Sequence, residues 1–166
     1  SAGEALIKSY EKLRLTAYNT DGAGVWTIGW GHTKGVKRGD TCTREQADAW
    51  FAQDVAPCVA AINKQGFDLN QNQFDALVSL LFNCGPGILV NFVSIIKAKN
   101  WDAVTAKMAK YVYAGKVKLD GLVKRRAKEI ELFKKKVTTT KTYLYIGSIA
   151  LIVSLIIVYV FIIRKK

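Results

Sequence analysis

The chain has 166 residues, half of them hydrophobic, and carries 25 Lys and Arg against 13 Asp and Glu, for a formal net charge of +12. That length allows one domain with a buried core. No zinc-ligand spacing, phosphate-binding glycine loop or nucleic-acid motif is present, so the basic balance is not read as nucleic-acid binding.

The charge is uneven. Residues 1–133 carry a net +5, whereas residues 134–166 hold seven basic residues and no acid. The first stretch has a globular composition and its mild positive charge suits an acidic wall polymer. The second is a segment of another kind. Residue 1 onward shows no basic region followed by an apolar run and a cleavage site, so no secretory signal is read there.

Residues 3–12 predict a short helix in which Ala5, Leu6 and Tyr10 share a face and Ile7 lies nearby, with Glu11 at its end. Leu13 to Tyr18 alternates as a strand, Asn19 to Gly24 is turn chemistry, and Val25 to Trp30 is the return strand. Gly29 and Gly31 permit close backbone approach. Lys34 to Asp40 is a basic loop with room for a third short strand.

Thr43-Arg44-Glu45-Gln46 is a capping box that opens a helix reaching about residue 63, with Pro57 expected to kink or end it. Asn70 caps the next helix, whose residues Ala76 to Phe82 are almost all apolar and therefore central in the core. Asn83-Cys84-Gly85-Pro86-Gly87 stops it. Residues 89–98 and 101–113 predict two further helices, 114–121 a loop, and 121–133 a last helix. Arg125 and Arg126 on that helix read as a solvated face, the alternative being a basic edge turned to a saccharide.

Cys42 and Cys58 on one helix would stand on the order of 20 Å apart at about 1.5 Å per residue, too far for a disulfide. Cys58 with Cys84 remains open beside the plainer reading of buried free thiols. His32, the sole histidine, reads as a structural, hydrogen-bonded residue at a strand end. Trp26, Trp30, Trp50 and Trp101 read as core rather than sugar platforms.

The chemistry concentrates in residues 11–33. Two carboxylates, Glu11 and Asp21, and the Thr27 hydroxyl are brought together by one hairpin. Two carboxylates are the minimum for cleaving a glycosidic bond: one protonated for the leaving oxygen, one ionised for water or developing charge. With Trp26-Thr27-Ile28-Gly29-Trp30-Gly31-His32-Thr33, these residues resemble the catalytic hairpin of the phage-type lysozymes, glycoside hydrolase family 24. The stretches Gln71 to Ser79 with Phe82-Asn83-Cys84-Gly85, and Gly121-Leu122 through Arg125-Arg126 to Glu129, resemble the same family, extending the likeness over about residues 4–133. One departure stands out. Nine residues separate Glu11 from Asp21 where the family pattern has eight, so a strict count puts Thr20 in the acid's place. Asp21 keeps the five-residue spacing to Thr27, and a one-residue insertion in a turn is inexpensive.

The resemblance implies a muramidase of phage or viral origin that hydrolyses the β-1,4 bond between N-acetylmuramic acid and N-acetylglucosamine with inversion. Glu11 would be the general acid, its pKa raised by desolvation. Asp21 would orient water or stabilise the transition state, and Thr27 would hold that water. No metal or organic cofactor is implied. Two other readings stand beside this one: a lytic transglycosylase, which needs no external water, and a non-catalytic wall-binding scaffold. Retention of all three residues argues against the scaffold.

Residues 134–142 form a basic polar linker. Tyr143 to Ile163 is a run without charge. At about 1.5 Å per residue it matches a hydrocarbon layer about 30 Å thick and is expected to cross a bilayer. Residues 164–166 are a basic tail. Similar charge on both flanks leaves the orientation open. A wall-cutting domain would face the wall, from a host inner membrane or from a virion's internal membrane. The expected architecture is α+β: a small β-hairpin lobe and a mostly helical lobe within residues 1–133, followed by a single transmembrane helix at 143–163.

Overall fold

Side-chain capping sets most of the helix starts. In a computed structural model of the chain, which describes residues 1–19 and 24–136, helix α1 spans Ala2–Glu11 and begins with a capping box between Ser1 and Glu4. Helix α2 (Arg44–Asn63) begins with the box between Thr43 and Gln46, and α3 (Gln71–Cys84) with one between Asn70 and Gln73. In each, a side-chain oxygen satisfies an amide that would otherwise lack a partner, and the third residue reaches back to the cap. Asp21 and the 143–163 segment lie outside the described residues.

Between α1 and α2, strands β1 (Arg14–Tyr18) and β2 (Thr27–Gly29) pair antiparallel, with Arg14 opposite Gly29 and Tyr18 opposite Thr27. The register shifts between those two pairs. The return strand is shorter than the alternation suggests, because Ile28 turns back to bond His32 in both directions at 2.9 Å. The third extended segment sits a little later than expected. Thr41 bridges Thr16, while Ala17 donates to Asp40 and Cys42 to Leu15.

Helix α3 is the centre of the helical part. Every residue from Ala76 to Leu81 is buried, and the helix packs against α6 (Asp120–Lys134), α1 and α2. The surrounding core includes Ile7, Phe51, Phe92, Val104, Met108 and Phe133. Ile7 is the fully buried side chain of α1, while Ala5 is exposed, so the inward face is offset from the expected one. Lys8 ties α1 to the hairpin and α2: its ammonium bonds Asp48 at 2.6 Å and lies within 5 Å of the Trp30 and Phe51 ring centres. The residues Ser1–Lys135 form one compact unit. Among the described residues no helix is long and apolar enough to cross a membrane.

Three boundaries differ from expectation. Helix α2 continues past Pro57 instead of ending there. Gln53, whose carbonyl loses its amide partner there, is exposed, so water can satisfy it. The expected 89–98 helix divides into a 3-10 turn (Pro86–Asn91) and α4 (Val93–Lys97). Helix α5 (Trp101–Met108) stops five residues early, and a hairpin follows, β3 (Tyr113–Ala114) with β4 (Val117–Lys118). Its two-residue turn places Gly115 at φ 59°, the conformation that tight hairpin turns demand. The β-branched and aromatic residues Val112, Tyr113 and Val117 favour extended backbone over another helical turn.

Candidate active site

A cleft of about 540 Å³ is lined by residues of four segments, among them Glu11, Lys34, Asp54, Pro57, Phe82 and Asn83. Glu11 ends α1, where the chain turns sharply at Lys12 with φ 55°. Its side chain is 23% exposed, and its Oε1 accepts a hydrogen bond from Arg125 Nη1 at 2.8 Å. Its Oε2 faces Gly31. A Cβ on residue 31 would stand 3.2 Å from that oxygen, and the φ of 98° strains any other residue. The expected close approach at Gly31 is therefore an approach to the acid itself.

Arg125 and Arg126 do not form a solvated face. Their side chains are 5% and 2% exposed, and both converge on Glu129, which is wholly buried. Glu129 Oε1 accepts from Arg126 Nη2 at 2.8 Å, from Arg125 Nε at 3.3 Å and from Ser79 Oγ at 2.7 Å. Arg126 Nε and Glu129 Oε2 are also 2.8 Å apart, but the contact is an ion pair without hydrogen-bond alignment. Burial pushes the Glu129 carboxyl above the usual range, opposed first by the charge of Arg126, then by Ser79 and Arg125. A buried ion needs such pairing, since an unpaired one costs several kcal/mol. Arg126 Nη2 also donates to Asn83 Oδ1 at 3.0 Å. Because the guanidinium only donates, Asn83's amide oxygen is fixed toward α6. Arg125 further stacks over the Tyr10 ring. One charged cluster thus carries Glu11, α6 and the cleft wall at Asn83.

The spacing of Arg125 and Arg126 to Glu129, four and three residues on a helix, was the signal in the sequence. The lone Ser79 inside an apolar helix was its counterpart.

On the opposite wall, His32 is buried and stacks on Trp50 at 5.0 Å between ring centres. Its Nδ1 lies 2.8 Å from Asp54 Oδ2, and its Nε2 donates to the Lys34 carbonyl at 3.1 Å. The structural reading of this histidine holds. Thr27 opens β2 opposite Tyr18 and is half-buried; it is not among the described residues that line the cleft. Asp21 falls among residues 20–23, outside the described residues.

All three cysteines are free. Cys58 is buried at the cleft floor, and burial pushes its thiol up to about 11. The four tryptophans are half-buried; Trp101 packs edge-on against Phe133 and Trp30 donates to Asp48 at 2.8 Å. Among the described residues no three His, Cys, Asp or Glu side chains are placed to hold a metal ion.

A helix-borne acid in a cleft, backed by a buried arginine and faced by a glycine of the hairpin, fits a glycosidase that works through carboxyl groups. Residues 8–129 match the phage lysozyme family, and the chain belongs to it. It is accordingly a glycoside hydrolase, a muramidase. The chain is 40% identical over 139 residues to an endolysin of Acyrthosiphon pisum secondary endosymbiont phage 1, covering 79% of this chain and 94% of the relative. It is 41% identical over 166 residues to an endolysin of Lactococcus phage c2, covering 87% of this chain and 69% of the relative. Among solved structures, the endolysin of Escherichia coli O157:H7 phage FAHEc1 superposes with a TM-score of 0.74 at 36% identity, covering 81% and 92% of the two chains.

Proposed function

We propose that the chain cleaves the β-1,4 bond between N-acetylmuramic acid and N-acetylglucosamine in peptidoglycan, with Glu11 as general acid. The observation that carries this reading is the asymmetric setting of Glu11. Arg125 holds Oε1, while Oε2 lies against the side-chain-free surface of Gly31 at the cleft. An acid must present one oxygen to the leaving group in a fixed direction, and this arrangement selects which one.

Asp21 acts as the second carboxylate. It orients the attacking water, with Thr27 as the hydroxyl that holds it. Water attacks the anomeric carbon as Glu11 delivers its proton to the departing oxygen, and Asp21 takes the proton of the water. The product is inverted. The Tyr18–Thr27 pairing closes the loop that contains Asp21, which supports placing both residues on the hairpin side. The test is clearing of a purified peptidoglycan suspension by the protein and its Glu11→Gln variant. Clearing by both at the same rate would exclude Glu11 as the acid. Proton NMR of the fresh product anomer tests inversion.

The enzyme is also read as tethered, with residues 143–163 crossing a bilayer. The support is the uncharged apolar run itself and the basic residues on both sides. Lys134 is the last residue of α6, so the expected linker shortens to residues 135–142; it reaches roughly 28 Å when extended, confining the active site to wall close to the membrane. A host inner membrane and a virion membrane both suit this tether. Carbonate-resistant membrane association of the full chain, lost when residues 143–166 are removed, is the expected result; association that persists without them would contradict it.

A further inference from the structure

Among the described residues, three that bear charge line the cleft: Glu11, Asp54 and Lys34. The two acids are engaged, Glu11 by Arg125 and Asp54 by His32, each at 2.8 Å. Lys34 has no charged partner among the described residues, and it is exposed.

The backbone beneath it is held firmly. Val36 donates to the Thr33 carbonyl at 3.3 Å and closes a turn, with Gly35 at φ 76° in its third position. His32 Nε2 donates to the carbonyl of Lys34. That imidazole is itself fixed by Asp54 on one side and by the Trp50 face on the other. The root of an exposed, flexible cationic side chain is thus anchored at the cleft.

The glycan backbone of the substrate is neutral, but the muramic residue at the cleaved bond bears a lactyl ether extended by a peptide with carboxylates. We propose that Lys34 is a specificity-determining residue whose ammonium receives a stem-peptide carboxylate. The assignment rests on the muramidase reading. It makes the enzyme prefer peptide-bearing, anionic glycan over the same glycan without charge. An ammonium meets a carboxylate as a point charge in partly exposed surroundings, so the contribution is modest and screened by salt.

The test uses the full chain, Lys34→Gln and Lys34→Arg on soluble peptidoglycan fragments. One batch is native. In the other, carboxyl groups are converted to neutral methylamides with carbodiimide and methylamine, which leaves phosphodiesters untouched. On native fragments Lys34→Gln should raise KM about two- to fivefold with little change in kcat, and Lys34→Arg should restore the native KM. On amidated fragments all three proteins should share one KM, and added salt should erase the difference on native ones. Equal KM values for the native protein and Lys34→Gln on native fragments would overturn the proposal. So would an undiminished penalty on amidated fragments, which would assign Lys34 to a phosphodiester or to a neutral contact. Failure of the native protein to cut either batch would refute the muramidase reading beneath it.

Discussion

Arg125 Nη1 donates to Glu11 Oε1 at 2.8 Å, joining residues 114 apart in sequence. Arg125 in turn is braced by Glu129, which Ser79 and Arg126 hold from α3 and α6. The acid is therefore held from the helical core, while Gly31 beside the hairpin faces its other oxygen. Replacing Arg125 with Lys keeps a charge but loses the planar fork that reaches both carboxylates. In Arg125→Lys, kcat should fall about ten- to hundredfold with a smaller change in KM, measured on soluble fragments. An unchanged kcat in a folded variant would remove the positioning role.

Gly31→Ala tests the other side of the acid. The added methyl meets Glu11 Oε2 at 3.2 Å, on a backbone at φ 98°. Strain of about 1–3 kcal/mol is expected from that conformation, read as a lower denaturant midpoint. Activity should fall further than the lost stability explains, because the proton-bearing oxygen is displaced. Full activity at a temperature where the variant is folded would contradict this placement.

Asp48 gives a pH dependence with a defined sign. Its carboxyl lies below the usual range because Lys8, and then Trp30, donate to it. A depressed folded pKa stabilises the fold above the unfolded value of about 4. That contribution is lost as pH falls through the lower folded value. Asp48→Asn should therefore lower Tm at pH 6, and the gap should close toward pH 2. A constant gap across that range would show that the carboxylate charge plays no part.

Cys58 should be chemically silent in the native protein. With its thiol pushed up to about 11 and 3% of its surface exposed, roughly one molecule in a thousand carries the thiolate at pH 8. Peptide mapping after iodoacetamide treatment at pH 8 should find Cys58 unmodified in the folded state and alkylated in guanidinium. Modification of the native protein at the denatured rate would contradict the burial.

Local rules of the sequence reached the helix starts well. The Ser1, Thr43 and Asn70 caps depend on side chains within three residues, and the Thr43 box and the Asn70 cap are legible in the chain alone. The apolar run from Ala76 gave the central helix for the same reason. What escaped were outcomes decided by tertiary partners. Arg125 and Arg126 look solvent-facing until Glu129, Ser79 and Glu11 are placed around them. Pro57 looks like a helix breaker until Gln53, four residues back, is seen to be exposed. Helix α5 looks longer because nothing in its period announces the turn at Gly115. The place of Glu11 at the end of α1 was legible from the helical period before it. Lys34, two residues past His32, was hidden in a basic loop that the sequence describes only as turn.

The most direct test of the account is mass spectrometry of the products that the full chain and its Glu11→Gln variant release from purified peptidoglycan. Reducing-end muropeptides from the native protein, reduced at least about a hundredfold in the variant, are the predicted result. Anhydro-muramyl ends would replace hydrolysis with transglycosylation and remove the water-orienting role of Asp21, and equal release by the variant would contradict Glu11 as the acid.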